Sequence, residues 1–572
     1  MRPIQLFTLF SIIFHTAALN FMQFTNESHS HLEKCTDEIQ RRYTNSEDNI
    51  FFINFSDKYR DFRFETPIII QNELREVKYF QRMHVNFYII VIPKGYFEQV
   101  FSFLVLSKSW NPRAKFLLLF HEEVLKDFLV ILRKYFVYNV IFLVEKSDGH
   151  VDIMTYYPFK IPSNEFEIVG VCHNGRLRDD QELFPNKLPR DWTNFTVRVI
   201  LFPYPPFVFV TNDQKRGIEV DLFKMVEYQL GFKVEYLDKP FANWGRKLRN
   251  GSYEGAYGYL RRYEVEAAIG LFYANVSAHW DFDQSYPYLE DVTKWVVPAA
   301  KRQAQWIGVT KIFRIYIWSC TLISFLLVSL VLRVFGFHLH DMKRQSSELP
   351  RHGILRVLMG LWIYFGLMMT AIFQGRLASV LNFAPLEKQI ATTSDLQESK
   401  LAFGYYKDSA FLYSDKKEKD KFLYYNYVDC PIDLSCLNRT AFKRDFATFK
   451  PKKLMEYLIS TIYLGKDGRP LVYLFKDNVY KFLITMAFSK GFPILPEVNK
   501  VLLHLRIHGF IDFHYKKASY HAERAIRWAQ REELSAQVLD MSDIFWAFCL
   551  LFFGLAIATF IFVVELFVFK YL

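Results

Sequence analysis

Three long apolar runs interrupt an otherwise mixed chain. Ile315 to Leu332 is 18 residues without a charge and closes at Arg333. Val357 to Gln374 is a second run of 18, set between Arg356 and Arg376, and Ile544 to Val564 is a third of 21. An apolar helix of that length matches the hydrocarbon layer of a bilayer. The pattern therefore predicts three transmembrane helices, over 312–335, 354–381 and 543–568. A fourth apolar stretch is shorter and stands at the N-terminus. Arg2, the run Ile4 to Phe14 and the small pair Ala17-Ala18 read as a signal peptide over 1–19.

The charges between the runs orient them. Arg333, Lys343, Arg344, Arg351 and Arg356 outweigh Asp341 and Glu348, so the loop 336–352 is expected in the cytoplasm. Residues 20–310 and 386–540 then lie outside. Six Asn-X-Ser/Thr sequons mark glycosylation sites at Asn26, Asn54, Asn194, Asn250, Asn275 and Asn438, and all six fall in the external segments. Cys320 and Cys549 sit inside apolar runs. Cys35, Cys172, Cys430 and Cys436 are external, where disulfides persist. Cys430 and Cys436 are close enough to pair as a disulfide; nothing in the sequence fixes partners for Cys35 and Cys172.

Outside the membrane the pattern is short apolar runs alternating with amphipathic ones. Phe87 to Ile92, Phe116 to Phe120 and Val140 to Val144 read as buried strands, and Val124 to Phe136 as a helix between the last two. Residues 20–190 are expected to form a small α/β domain. Pro185 to Trp192 then reads as a linker. From 194 to 305 a strand at Val197–Leu201, a rigid Pro203-Tyr-Pro-Pro206 turn, a helix from Gly217 to Leu230 stopped by Gly231, and a strand at Lys233–Tyr236 make one α/β half. A second half, 386–540, holds a strand at Lys400–Gly404 and a helix at Glu497–His508. Two such halves predict a ligand cleft between lobes.

Composition narrows the classes. The 572 residues are 51% hydrophobic and 18% aromatic, which excludes extended disorder. The net charge of +11 is spread along the chain without a basic tract, so no nucleic-acid partner is expected. No metal-spaced His/Cys cluster, nucleophile elbow, paired catalytic carboxylates or phosphate-binding glycine loop is found. His338-Leu-His340 is the only close His pair, and two ligands make no metal site. No cofactor, no metal and no enzyme activity are expected.

The order of segments, with VRVILFPYPPFVFV and RGIEVDLFKMVEYQLGF in the first half and LNFAPLEKQIATTSDLQESKLAFGY and KGFPILPEVNKVLLHLRIHGFID in the second, resembles the ionotropic glutamate receptors. It is most similar to their divergent insect chemosensory branch, over roughly 194–572. The resemblance implies a bilobed, periplasmic-binding-protein-like clamshell that closes on an extracellular small molecule and pulls on membrane helices. It implies a plasma-membrane cation channel working with related co-receptor subunits as a hetero-tetramer, in the dendrite of a sensory neuron. It places a gate at Phe373, Gln374, Gly375, Arg376 and Leu377, and loose ligand contacts at Ser409 and Asp467.

Two departures qualify the ligand and the pore. Where glutamate-binding relatives carry an arginine for the ligand carboxylate, counting back from Ser285-Tyr-Pro-Tyr288 gives Ala278. The candidate guanidinium, Arg262, lies some sixteen residues earlier. The expected ligand is therefore not glutamate, because a carboxylate needs its bidentate fork. The stretch 333–356 is charged and Pro-containing, with no apolar helix to re-enter the bilayer, so the pore helix and filter of relatives are expected to be missing. The alternative function is a membrane-tethered binding or modulatory protein that lines no pore.

Overall fold

The computed structural model describes residues 31–45, 47–54, 68–71, 84–91, 96–107, 109–120, 127–146, 150–160, 166–178, 182–211, 214–238, 243–248, 251–274, 280–301, 312–338, 353–382, 386–413, 420–465, 468–517, 520, 524 and 541–571. The signal-peptide segment, Asn26, Asn250, Asn275, Ala278, Asp467 and most of the 336–352 loop lie outside the described residues. The chain forms two compact units: Met1–Glu290 with Phe482–His514, and Asp291–Lys481 with Tyr515–Leu572.

Unit 1 begins with helix α1 (His31–Tyr43) and a sheet of eight strands: β1 (Ile50–Asn54), β2 (Ile68–Gln71), β3 (Phe87–Val91), β4 (Lys115–Phe120), β5 (Val140–Glu145), β6 (His150–Tyr156), β7 (Phe166–His173) and β8 (Arg176–Leu177). Their order is β2-β1-β3-β4-β5-β6-β7-β8. The first five run parallel and the rest antiparallel. The parallel strands read as unbroken apolar runs because both faces are covered. Leu32, Cys35 and Ile39 of α1 pack with Phe52, Ile89, Leu117 and Ile141 in one core. Helices α2 (Phe97–Leu106) and α3 (Asp127–Lys134) complete this domain. A disulfide joins Cys35 of α1 to Cys172 of β7, 137 residues apart.

The same unit continues with β9 (Thr196–Leu201), the short hairpin β10 (Phe209–Val210) and β11 (Lys215–Arg216), helix α4 (Ile218–Leu230), β12 (Lys233–Tyr236), α5 (Gly255–Arg261), β13 (Ala267–Tyr273) and β14 (Asp283–Gln284). Its sheet runs β12-β9-β13 and takes in the later strand β20 (Tyr480–Phe488), on which β14 also pairs. Helix α4 ends where expected, at Gly231, in the left-handed conformation that glycine adopts without a Cβ penalty.

Unit 2 contains β15 (Leu289–Pro298) from Asp291 onward, β16 (Ala402–Tyr405), β17 (Val428–Asp429), β18 (Phe446–Pro451) and β19 (Val472–Leu474). β18 pairs antiparallel with β15 and parallel with β16, around a core of Trp295, Tyr405, Tyr413 and Phe449. Between β15 and β16 the chain leaves for helices α6 (Ile315–His338) and α7 (Gly353–Asn382), and returns through the short helix α8 (Thr393–Glu398). Helix α9 (Lys452–Thr461) follows β18, α10 (Leu495–Ile507) belongs to unit 1, and α11 (Met541–Tyr571) closes the described chain.

Two of the three expected spans are helices long and apolar enough to cross a membrane: Arg356–Ser379 within α7 and Ala547–Val568 within α11. Neither is buried in the protein. A helix apolar on all sides and uncovered by protein suits a lipid solvent. The third, α6, carries a shorter apolar stretch, Ile315–Val331. It lies against α7 through Phe325 and Trp362, whose rings are 6.3 Å apart.

Candidate functional site

Strand β13 has a break in its middle. Its register with β20 shifts between Ala268 and Phe272. At the break Gly270 takes φ +140° and Leu271 φ +55°. A Cβ on Gly270 would sit 2.6 Å from the Cβ and carbonyl oxygen of Phe202, so glycine is required there. The amide that the break leaves unpaired, Leu271 N–H, donates to the Glu219 carboxylate at 3.0 and 3.2 Å.

Glu219 is the second residue of α4, where a carboxylate suits the helix N-terminus. It is fully buried, and Tyr288 donates its hydroxyl to Oε1 at 2.5 Å. Burial pushes its carboxyl up to about 7, against the pull of the Tyr288 and Leu271 hydrogen bonds. Glu219 therefore fixes the bulge from behind.

In front of the bulge stands a wall of rings. Trp244 donates its indole N–H to the Gly270 carbonyl at 2.6 Å. Its ring lies 4.6 Å from Phe202, 5.6 Å from Tyr204 and 6.0 Å from Tyr273. Tyr273 is the most accessible, 36% exposed, and rests on Phe482 at 4.3 Å. Tyr204 precedes the cis Pro205–Pro206 bond, part of the rigid turn read in the sequence. Tyr273 and the half-buried Trp244 offer π faces and apolar area to a ligand, with Phe202 and Tyr204 buried beneath them.

The described arginines of this half are committed elsewhere. Arg198 pairs with Glu266, Arg246 with Glu254 at 2.9 Å, Arg261 with Asp281 at 3.4 Å, and Arg216 lies over the Phe209 ring at 5.8 Å. Arg262, the sequence candidate for the carboxylate, binds Glu264 at 2.5 Å and stacks on Tyr259 at 5.0 Å. Its fork is thus engaged within its own loop. Among the described residues no group of three His, Cys, Asp or Glu is arranged to hold a metal ion.

In unit 2, Ser409 lies half-buried in the 3-10 turn Lys407–Tyr413, its amide donating to Tyr406 O at 2.8 Å. Cys430 and Cys436 are joined as a disulfide next to β17. Inside that small loop Asp433 accepts from the Ser435 amide and hydroxyl.

The stretch of chain that leads to α6 and the stretch that returns from α7 are tied together. Glu387 N–H donates to Lys301 O at 2.9 Å, and Ala300 N–H to Gln389 Oε1 at 2.7 Å. Gln389 Nε2 reaches back to Pro298 O at 3.3 Å. The Arg444 guanidinium donates to Ala299 O. Entry and exit thus form one clasp just past the end of β15. Within α7, Phe373 packs near Phe313 and Trp318 at 6.3 and 6.2 Å, Leu377 is half-buried, and Gln374, Gly375 and Arg376 are exposed.

Of the residues singled out by sequence, Ser409 and Arg262 fall in different units, and Arg262 is held by Glu264 and Tyr259. Glu219, Trp244, Tyr273 and Gln389 were missed. An isolated glycine inside the apolar run Ala267–Tyr273 was the available signal for a bulge.

Comparison with known proteins finds similarity over part of the chain. Residues 334–555 match the family model for a ligand-gated ion channel. Glutamate receptor ionotropic delta-1 of Mus musculus is 21% identical over 250 residues, 38% of this chain and 25% of that protein. The kainate-type receptor glr-3 of Caenorhabditis elegans is 22% identical over 243 residues, 36% of this chain and 29% of the relative. Glutamate receptor 2.5 of Arabidopsis thaliana is 24% identical over 230 residues, 35% and 25% respectively. The chain spans about a quarter of the length of the curated relatives it matches. These similarities relate it to the ionotropic glutamate receptors.

Proposed function

Given a chain related to ionotropic glutamate receptors, we propose that it is a subunit of a chemosensory ligand-gated cation channel in the plasma membrane, of the insect ionotropic receptor type. In this reading all three apolar helices, α6 included, cross the bilayer. The N-terminus and both α/β halves lie outside, and 336–352 lies in the cytoplasm. The observation that carries it is the clasp at Pro298–Lys301 and Glu387–Gln389. A sheet interrupted by a pair of apolar helices, with the outgoing and returning chains hydrogen-bonded to each other, moves both helices whenever the sheet moves. Ligand binding that favours one arrangement of the α/β halves then biases the helices by its differential affinity.

The ligand is a small molecule read by aromatic rings rather than a free amino acid. Trp244 and Tyr273 offer π faces, and the described arginines of this half are engaged by other side chains. An α-carboxylate buried without its fork loses about 1–3 kcal/mol, about fivefold to 150-fold in affinity. Ser409 remains the hydroxyl contact proposed for the second half, and Phe373 to Leu377 the gate. Four exposed Arg376 side chains facing one axis would repel cations, which favours a mixed assembly in which related subunits supply the filter.

Expression with and without candidate co-subunits tests the reading. The protein alone, in cells lacking related subunits, gives no ligand-evoked cation current, and ligand-evoked current appears with partners. Robust cation current from this chain alone refutes the mixed assembly. Surface protein that binds ligand yet changes no current in any combination supports the tethered binding protein instead.

A further inference from the structure

Unit 1 joins two parts that the sequence separates at 185–192. The contact between them is buried and chemically specific. Asp283, 3% exposed, accepts two hydrogen bonds from the Arg113 guanidinium of the N-terminal domain, at 2.6 and 3.2 Å. The same carboxylate accepts from Gly491 N–H at 2.7 Å and pairs with Lys490 at 3.5 Å. Beside it, Trp110 donates its indole N–H to the Tyr263 hydroxyl at 3.1 Å, and that hydroxyl donates to Lys490 O at 3.0 Å. The fit is close: a Cβ on Gly491 would lie 2.4 Å from Pro112 Cγ.

The connecting segment is not a free tether either. Lys187 is 7% exposed, and its ammonium donates to Tyr138 O at 2.7 Å, Val140 O at 3.2 Å and the Thr155 hydroxyl at 2.5 Å. Trp192 is 4% exposed, with its ring 5.3 Å from Phe159 and 5.7 Å from Phe195. A solvated linker would leave such groups in water. A carboxylate shared by two cations and an amide is stable in the interior only while all of them stay in place.

We infer that the N-terminal domain is an obligate part of the first α/β half rather than a separable sensor, locked to it at Asp283. The inference does not depend on the channel reading. Its consequence is mechanical: whatever grips the N-terminal domain also grips the first half. It also rules out excising the two halves at residue 190 as a folded ligand-binding fragment, because that cut bares Tyr263, Asp283 and Phe492.

The test uses the full chain with a specific protease site inserted between Arg190 and Asp191, both exposed. No disulfide links the two sides, since Cys35 pairs with Cys172 and Cys430 with Cys436. The folded protein is purified in detergent and then cut. The expected result is that both fragments co-elute on size exclusion. Arg113→Ala, a change at a half-exposed side chain, should release the N-terminal fragment about tenfold faster or more. Hydrogen exchange on the uncut Arg113→Ala protein should rise at 107–113 and 488–493 while β4, β5 and β9 stay protected. Prompt separation of the wild-type fragments after cutting, or release unchanged by Arg113→Ala, overturns the inference.

Discussion

Replacing Glu219 with Gln should make the protein more stable at pH 8 and leave it nearly unchanged at pH 5. The carboxyl is fully buried behind the β13 bulge, and burial raises it from 4.5 to about 7. Because the folded value is the higher one, the folded state holds a proton between pH 4.5 and 7 that the unfolded chain releases. Stability from this group is therefore highest below 4.5 and falls as pH rises through that window. Above 7 the folded protein carries the whole cost of a buried carboxylate. A shift of that size corresponds to about 3 kcal/mol. Gln keeps an oxygen to accept from Leu271 N–H and can donate its amide to the Tyr288 oxygen, the same pattern open to the protonated carboxyl, so the substitution mimics the low-pH form. Melting curves of the full chain in detergent at pH 5, 6, 7 and 8, for wild type and Glu219→Gln, give the difference directly. The comparison cancels other titrations, such as Lys187, whose ammonium burial brings down to about 7. The two curves should converge near pH 5 and part toward pH 8. Parallel curves, or a wild type more stable at pH 8, would refute the reasoning. Glu219→Ala is the companion: it strands Leu271 N–H and should cost about 1–3 kcal/mol at pH 5, a deficit that shrinks toward pH 8, where wild type alone carries the buried carboxylate.

Two further outcomes are expected. Site-by-site mass mapping after enzymatic deglycosylation should find sugar at Asn194 and Asn438, which are exposed, and none at Asn54, which is 4% exposed at the end of β1; full occupancy at Asn54 would contradict the placement of β1. Cys35→Ser opens a loop that spans 137 residues, and the chain-entropy argument gives an upper figure of about 4–5 kcal/mol; a melting midpoint within a degree of wild type would show that α1 is held by packing alone.

Much of the architecture follows from short-range pattern. Strands at Phe87–Val91, Lys115–Phe120 and Val140–Glu145 lie where unbroken apolar runs predict them, because a strand buried on both faces needs no polar alternation. The helix Ile218–Leu230 stops at Gly231 because only that residue turns left-handed without strain. Charge-free runs likewise mark α7 and α11, since bilayer thickness sets helix length and side-chain polarity sets what lipid accepts. What the tertiary structure decided is what joins residues far apart in the chain. The partner of Cys35 is 137 residues away, and nothing local distinguishes Cys172. Trp244 became part of an aromatic wall only because Gly270 breaks β13 and Glu219, 51 positions earlier, captures the amide so released. Asp283 reads as an ordinary polar residue until Arg113 and Lys490 converge on it. Within the linker signal at 185–192, Lys187 is buried against the N-terminal domain and Trp192 packs between Phe159 and Phe195. Pattern along the chain reports the solvent each segment prefers. Ion pairs, bulge partners and disulfides depend on which segments meet, and that is a property of the packed chain.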